Sequence, residues 1–214
     1  MQPVIVTIAR QHGAQGEAVG RAVADALGWA FVDREIITAA AARAKVSEAT
    51  IEQAERVPSL LTRMMEALGR YPSGFEMAEA VPGVPHVPPL SSDAYRTFIE
   101  QVIRQLEETT DAVIVGHASQ AVLRGSATAL HVFVAAPLAQ RARLIAAEDG
   151  VAQEEAVKAV KSADAERAEF LQRFYGLRWD NPAAYDLVLN IGRLSITAAA
   201  TIVVDLVHAR AESA

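Results

Sequence analysis

Val4-Ile5-Val6-Thr7-Ile8-Ala9-Arg10-Gln11-His12-Gly13-Ala14-Gln15-Gly16-Glu17-Ala18-Val19-Gly20 is the stretch on which the fold turns. Its first five residues are β-branched or apolar without alternation, the pattern of a parallel strand covered on both faces. A turn bearing glycine follows, and then a helical pattern from about Gly16 to Leu27, with Val19, Val23, Ala26 and Leu27 on one face and Gly28 as its stop. A glycine loop between a buried strand and a helix places backbone N–H groups around an anion at the helix start. Its length and position suit a phosphate-binding loop. The chemistry departs from the G-x-x-x-x-G-K-[ST] pattern, which needs a Lys for the β/γ-phosphates and a hydroxyl for Mg²⁺. With Gly16 at the Lys position, Arg10 and Gln15 stand where the two glycines belong. On this segment alone, a plain tight turn from strand to helix remains the alternative.

Four further apolar runs read as strands: Trp29–Val32, Ala112–Val115, Leu130–Val134 and Leu187–Asn190. Helical patterns separate them. One covers about 36–44, and one starts at Ser47 and runs to about Leu68 with a break at Pro58. The others run over Asp93–Thr109, from Pro137 onward, over Gln153–Phe174 as a charged helix or helix pair, and over Ser195–Ala209. Five prolines and two glycines between Tyr71 and Pro89 exclude a regular element there and predict a mobile loop. Strands alternating with helices imply an α/β fold: about five parallel strands with helices on both faces. The first strand should lie centrally, with ligand loops at its C-terminal edge.

Half of the 214 residues are apolar, enough for a substantial core in a single domain spanning 1–214. A formal charge of −6 argues against a general nucleic-acid surface. There is no cysteine, which excludes disulfides, thiolate metal sites and cysteine nucleophiles. No signal core and no membrane-length apolar run is legible, so the reading places the chain in the cytoplasm, away from membranes. His12, His117 and His131 lack the Cys or carboxylate spacing of a metal site, and no protein-held metal is expected.

Four segments together resemble the cytidylate kinase-like family, a divergent branch of the nucleoside-monophosphate kinases, along nearly the whole chain. Ile8 through Gly20 resembles its opening I-S-R-x-x-G-S-G-G-R-x-I-G, and Leu27-Gly28 through Ile36-Ile37 resembles its L-G-x-x-[FY]-[FY]-D-[KR]-E-I-I. Val113-Ile114-Val115-Gly116-His117-Ala118 is similar to V-I-V-G-R-G/A. Asp164-x-x-Arg167, Phe174-Tyr175-Gly176, Trp179-Asp180 and Tyr185 to Asn190 are similar to its lid and last strand. Two positions depart. Glu17 replaces the family's loop Arg, and His117 replaces the Arg of the third-strand motif, each removing positive charge where phosphoryl transfer needs it.

The resemblance implies a three-layer P-loop kinase-like fold with ATP and Mg²⁺ as cofactors and phosphoryl transfer to a nucleoside monophosphate, CMP or dCMP. Two readings stand beside it: a nucleotide-binding sensor or partner-binding protein with little turnover, and a kinase with a non-nucleotide small-molecule acceptor. His12, Gly13, Ala14, Gln15, Gly16, Glu17 and Ala18 would surround the ATP phosphates. Arg10, Asp33 and Arg141 are the catalytic candidates, Asp33 by organising Mg²⁺ or acceptor unless it only caps a helix. His117, Asp164, Arg167, Arg173 and Arg178 are the substrate-binding candidates. An i,i+3 surface ion pair explains Asp164 and Arg167 equally well. Residues of about 36–93 would form the acceptor-binding insert, and about 152–180 the lid.

Overall fold

The computed structural model of the chain describes residues 3–43, 45–46, 57–69 and 93–213. The proline-rich stretch Tyr71–Pro89 and the helix start at Ser47 lie outside the described residues. In chain order the elements are β1 (Ile5–Arg10), α1 (Gly16–Leu27), β2 (Ala30–Val32), α2 (Arg34–Arg43), α3 (Val57–Gly69), α4 (Asp93–Thr109) and β3 (Ala112–Val115). There follow the one-turn α5 (Ser119–Val122), β4 (Ala129–Ala135), α6 (Leu138–Asp149), α7 (Gln153–Tyr175), a 3₁₀ turn at Pro182–Ala184, β5 (Leu187–Asn190) and α8 (Ile196–Ser213).

All five strands are parallel, in the order β2-β3-β1-β4-β5. Ile5 pairs with Ala112 on one side and Ala129 on the other, which puts β1 at the centre. Ile5, Val6 and Ile8 are fully buried, as is every residue of β3. Strands covered on both faces lose the polar alternation of a half-exposed sheet, hence the continuous apolar runs. β5 is the exception: it lies on the edge, and Val188 is exposed.

Three details differ from the sequence reading. β1 extends through Arg10, which pairs with Val134, so Arg10 ends the strand rather than sitting in the loop. The one-turn helix α5 is an addition, whereas the charged region, read as a helix or a helix pair, is one continuous helix, α7. Pro58 stands in the first turn of α3, where its missing N–H breaks no helical hydrogen bond.

α1 packs on α8 and on β3. The approach to the sheet is close because position 20 has no side chain. A Cβ at Gly20 would lie 2.7 Å from Val115 Cγ2 and 3.2 Å from Ile8 Cδ1 and from Phe31 Cε2. Gly20→Ala should therefore overpack this seam and destabilise the fold by about 1–3 kcal/mol. Urea denaturation should show a lower midpoint with an unchanged slope.

Candidate functional site

The strands all end at one edge, and the loop after β1 is the centre of that edge. Gln11 continues the sheet pairing for one more residue: its N–H donates to Val134 O at 3.0 Å, and its Oε1 accepts from the Ala136 N–H at 3.1 Å. Ala14 N–H then closes a turn on Gln11 O. Gly13 (φ 74°) and Gln15 (φ 55°) take positive φ, the kind of conformation from which anion-binding nests of backbone N–H groups are built. The N–H groups of Gly13, Gln15 and Gly16 have no acceptor among the described residues. Two glycines make room for this arrangement. A Cβ at Gly13 would lie 2.9 Å from the carbonyl oxygen of Arg141, and one at Gly16 would lie 2.5 Å from Cβ of Arg10. The bare Gly16 thus lets Arg10 fold back across the start of α1.

Arg10 and Glu17 meet there. Nε and one terminal nitrogen of Arg10 donate to Glu17 Oε1 at 2.8 and 2.5 Å. Partial burial works against the Glu17 charge, but the guanidinium beside it more than compensates, and its carboxyl ends below the ordinary value. From the other side, α6 and α7 bring Arg141, Asp164 and Arg167. Arg141 is buried; it donates to Asp164 Oδ2 at 2.7 Å, to His12 O at 3.0 Å and to Ala136 O at 2.9 Å. The second Asp164 oxygen accepts from the His12 N–H at 2.9 Å. Arg167 donates to Arg10 O at 2.9 Å and stands 3.8 Å from Asp164. Asp164 and Arg167 are therefore tied to the loop more closely than to each other, which the local ion-pair alternative did not foresee.

Three guanidinium groups thus crowd one loop against two carboxylates. Burial, and then the positive charge of Arg10, push Arg167 down to about 10 despite Asp164 and Glu17. Positive potential is left over beside open N–H groups, which is the electrostatics of an anion site.

Asp33 follows β2 on the same edge. Its Oδ1 accepts from the Ile36 N–H at 2.9 Å, capping α2, and its Oδ2 stands 3.7 Å from Arg21. After β3, Gly116, His117 and Ala118 all take positive φ (82°, 55° and 54°). The two non-glycines cost on the order of 1–2 kcal/mol each. A Cβ on Gly116 would lie 2.6 Å from a terminal nitrogen of Arg10, so this turn and the loop touch. Nε2 of His117 is buried without a hydrogen-bond partner among the described residues. Burial, with Arg10 and Arg34 nearby, lowers its pKa from 6.5 to about 4, against the pull of the Asp33 backbone. The unfolded chain therefore takes up a proton between pH 6.5 and 4 that the folded chain refuses. His117 should make stability fall as pH drops through that window, by at most about 1.4 kcal/mol per unit. His117→Gln should flatten this part of a pH–stability profile measured by urea unfolding.

Other candidates lie elsewhere. Arg178 makes an exposed pair with Asp180 at 3.5 Å, and Arg173 lies over the Phe174 ring. No described contact joins either to the loop. Trp179 and Tyr185 pack on Phe133, as expected of core aromatics. The sequence reading missed a link between α7 and α4, in which Tyr175 donates to Glu100 at 2.7 Å and Arg96 pairs with the same carboxylate. Among the described residues no cluster of His, Asp and Glu suits a metal ion. Glu17 and Asp164 are engaged by arginines, so Mg²⁺ would be held mainly by phosphate oxygens and water, as is usual for this ion.

A model of the cytidylate kinase-like family matches residues 5–193. The chain belongs to this family. The match spans the loop, the His117 turn and the Asp164–Arg167 helix. Among solved structures, an uncharacterised protein from Eubacterium ventriosum ATCC 27560 is similar with a TM-score of 0.62 at 16% identity, over 96% of this chain and 98% of that one. Shikimate kinase from Bacteroides thetaiotaomicron is similar with a TM-score of 0.51 at 15% identity, over 96% and 98%. At these identities the likeness shows the fold alone, and that fold is the P-loop kinase type. A search of curated proteins returns no match. No helix among the described residues is long and apolar enough to cross a membrane.

Proposed function

We propose that this protein transfers a phosphoryl group from ATP to a small-molecule acceptor, with CMP and dCMP the acceptors that family membership puts first. One observation carries the reading. The open N–H groups of Gly13, Gln15 and Gly16 lie at the end of the central strand, where Arg10, Arg141 and Arg167 arrive from three separate elements. Phosphoryl transfer asks little of a protein beyond positioning and charge neutralisation, and these groups supply both.

The N–H groups of Gly13 to Gly16 would hold phosphate oxygens, helped by the dipole of α1. Arg10 would neutralise the transferred group, and Arg167 would add charge from α7. Arg141, buried and bonded to the His12 carbonyl, holds the loop in shape. When bound, Mg²⁺ would supply further neutralisation of the phosphates. Asp33 fixes the start of α2 and so the near end of the proposed acceptor insert.

A second reading has its own support: a nucleotide-binding protein with little turnover. Glu17 holds Arg10 on one side of the loop, and a glycine stands at the Lys position. A coupled ADP-release assay with ATP, Mg²⁺ and a panel of monophosphates and hydroxyl acceptors separates the two. Phosphoryl transfer predicts ADP release that depends on the acceptor. ATP binding with no release for any acceptor favours the binder.

A further inference from the structure

A cavity of about 280 Å³ lies between α5, the start of β4 and the chain that returns from α7 to β5. No residue of the loop after β1 or of the Gly116–Ala118 turn borders it. His131 is the third residue of β4 and Asp186 directly precedes β5, so the cavity sits toward the strand starts, whereas the loop follows a strand end. Its wall is polar. Gln120 is 4% exposed, and its Oε1 has no hydrogen-bond partner among the described residues. Its amide nitrogen is in use: the Tyr185 hydroxyl donates to Trp179 O at 2.7 Å, so in the bond between Gln120 and that hydroxyl Gln120 is the donor. A buried acceptor without a partner calls for a reason, and this one belongs to a residue that borders a cavity. Arg124, exposed on the same wall, has no ion pair or side-chain hydrogen bond among the described residues. Asn181 accepts from the Ala183 N–H with its Oδ1 at 3.1 Å, which leaves its amide N–H groups open. His131 and Asp186 are already engaged. His131 Nδ1 bonds Thr7 Oγ1 at 2.7 Å, and burial lowers the pKa of the ring, so it adds no charge at neutral pH. Asp186 accepts from the His131 N–H at 2.7 Å and from Arg210 at 3.2 Å.

We infer that this cavity binds a small carboxylate that also carries an amino or hydroxyl group, at a site separate from the ATP loop. The planar fork of Arg124 matches the two oxygens of a carboxylate, and Asn181 adds further N–H donors. The amino or hydroxyl group donates to Gln120 Oε1. The terminal torsion of a glutamine is broad, which lets the amide turn that oxygen toward a bound donor. Asp186, a carboxylate on the same wall, opposes the second negative charge of a phosphate and so favours a monoanion. The volume stands at the lower end of the range of ligand cavities, roughly 300–1,000 Å³, which selects a small molecule. The site does not depend on the phosphoryl-transfer reading, because it shares no residue with the groups assigned to ATP.

The test is calorimetry on the full chain with serine, lactate, propionate, ethanolamine and inorganic phosphate. Serine or lactate should bind about tenfold tighter than propionate, which lacks the second donor, and than ethanolamine, which lacks the carboxylate. Binding of serine alone assigns the site to an amino acid, and binding of lactate alone to a hydroxy acid. Arg124→Ala should weaken the ligand at least about tenfold and leave ATP binding unchanged. Gln120→Leu should weaken serine or lactate about tenfold and leave propionate unchanged, a selective loss that a loosened fold would not give. Should Gln120→Leu fail to fold, Arg124→Ala, at an exposed position, decides the matter. No binding of serine or lactate at millimolar concentration, tighter binding of phosphate, or an unchanged affinity in Arg124→Ala overturns the inference.

Discussion

Asp164→Ala should lower the stability of the fold by about 3 kcal/mol, the low end of the cost of breaking a buried ion pair. The substitution leaves Arg141, 5% exposed, without its carboxylate and strips the His12 N–H of its acceptor. Arg141 keeps the carbonyls of Ala136 and His12, which is why the low end applies. The melting temperature should fall by on the order of 10 °C for a chain of this size. Arg141→Met paired with Asp164→Leu should recover much of that loss, since an apolar pair leaves no buried charge behind. Equal melting temperatures for wild type and Asp164→Ala would show that α7 is not tied to the loop as described.

Glu17→Arg has the second large effect, with the opposite sign for ligand binding. Glu17 places a carboxylate against Arg10 at the start of α1, where the helix dipole and the open N–H groups favour an anion from outside. Replacing it frees Arg10 and adds a donor. ATP should bind more tightly by about 1–3 kcal/mol, the scale of a charge-assisted hydrogen bond. Turnover, where present, should rise as well. A coupled assay across ATP concentrations reads both, through KM and kcat. Unchanged KM and kcat would place the phosphates away from Glu17.

The parallel sheet was legible because β1 and β3 are buried on both faces, and burial of that kind writes itself as an unbroken apolar run. The loop's position followed from those strands. Its contents did not. Arg10 looks like a loop residue in sequence, yet pairing with β4 carries the strand one turn of polarity further. Arg10 and Glu17 are seven residues apart across a turn, a separation with no periodicity to announce contact. The i,i+3 spacing of Asp164 and Arg167 says that they share a helix face but not what that face meets; it meets the loop. Arg173 and Arg178 fit the same charged stretch and end elsewhere, because helical periodicity fixes a direction and no partner. The left-handed turn at Gly116 to Ala118 carries one glycine as its signal, and nothing in His117 or Ala118 advertises positive φ.

The central claim is that the loop from Arg10 to Glu17 holds the phosphates of ATP, and the direct measurement is a calorimetric titration of ATP into wild type and Arg10→Ala. Arg10→Ala removes the guanidinium that lies across the start of α1 while sparing the N–H groups of Gly13, Gln15 and Gly16. The account predicts that ATP binds wild type and binds Arg10→Ala about 5- to 150-fold more weakly, equivalent to about 1–3 kcal/mol. Equal affinity of the two proteins for ATP would contradict it.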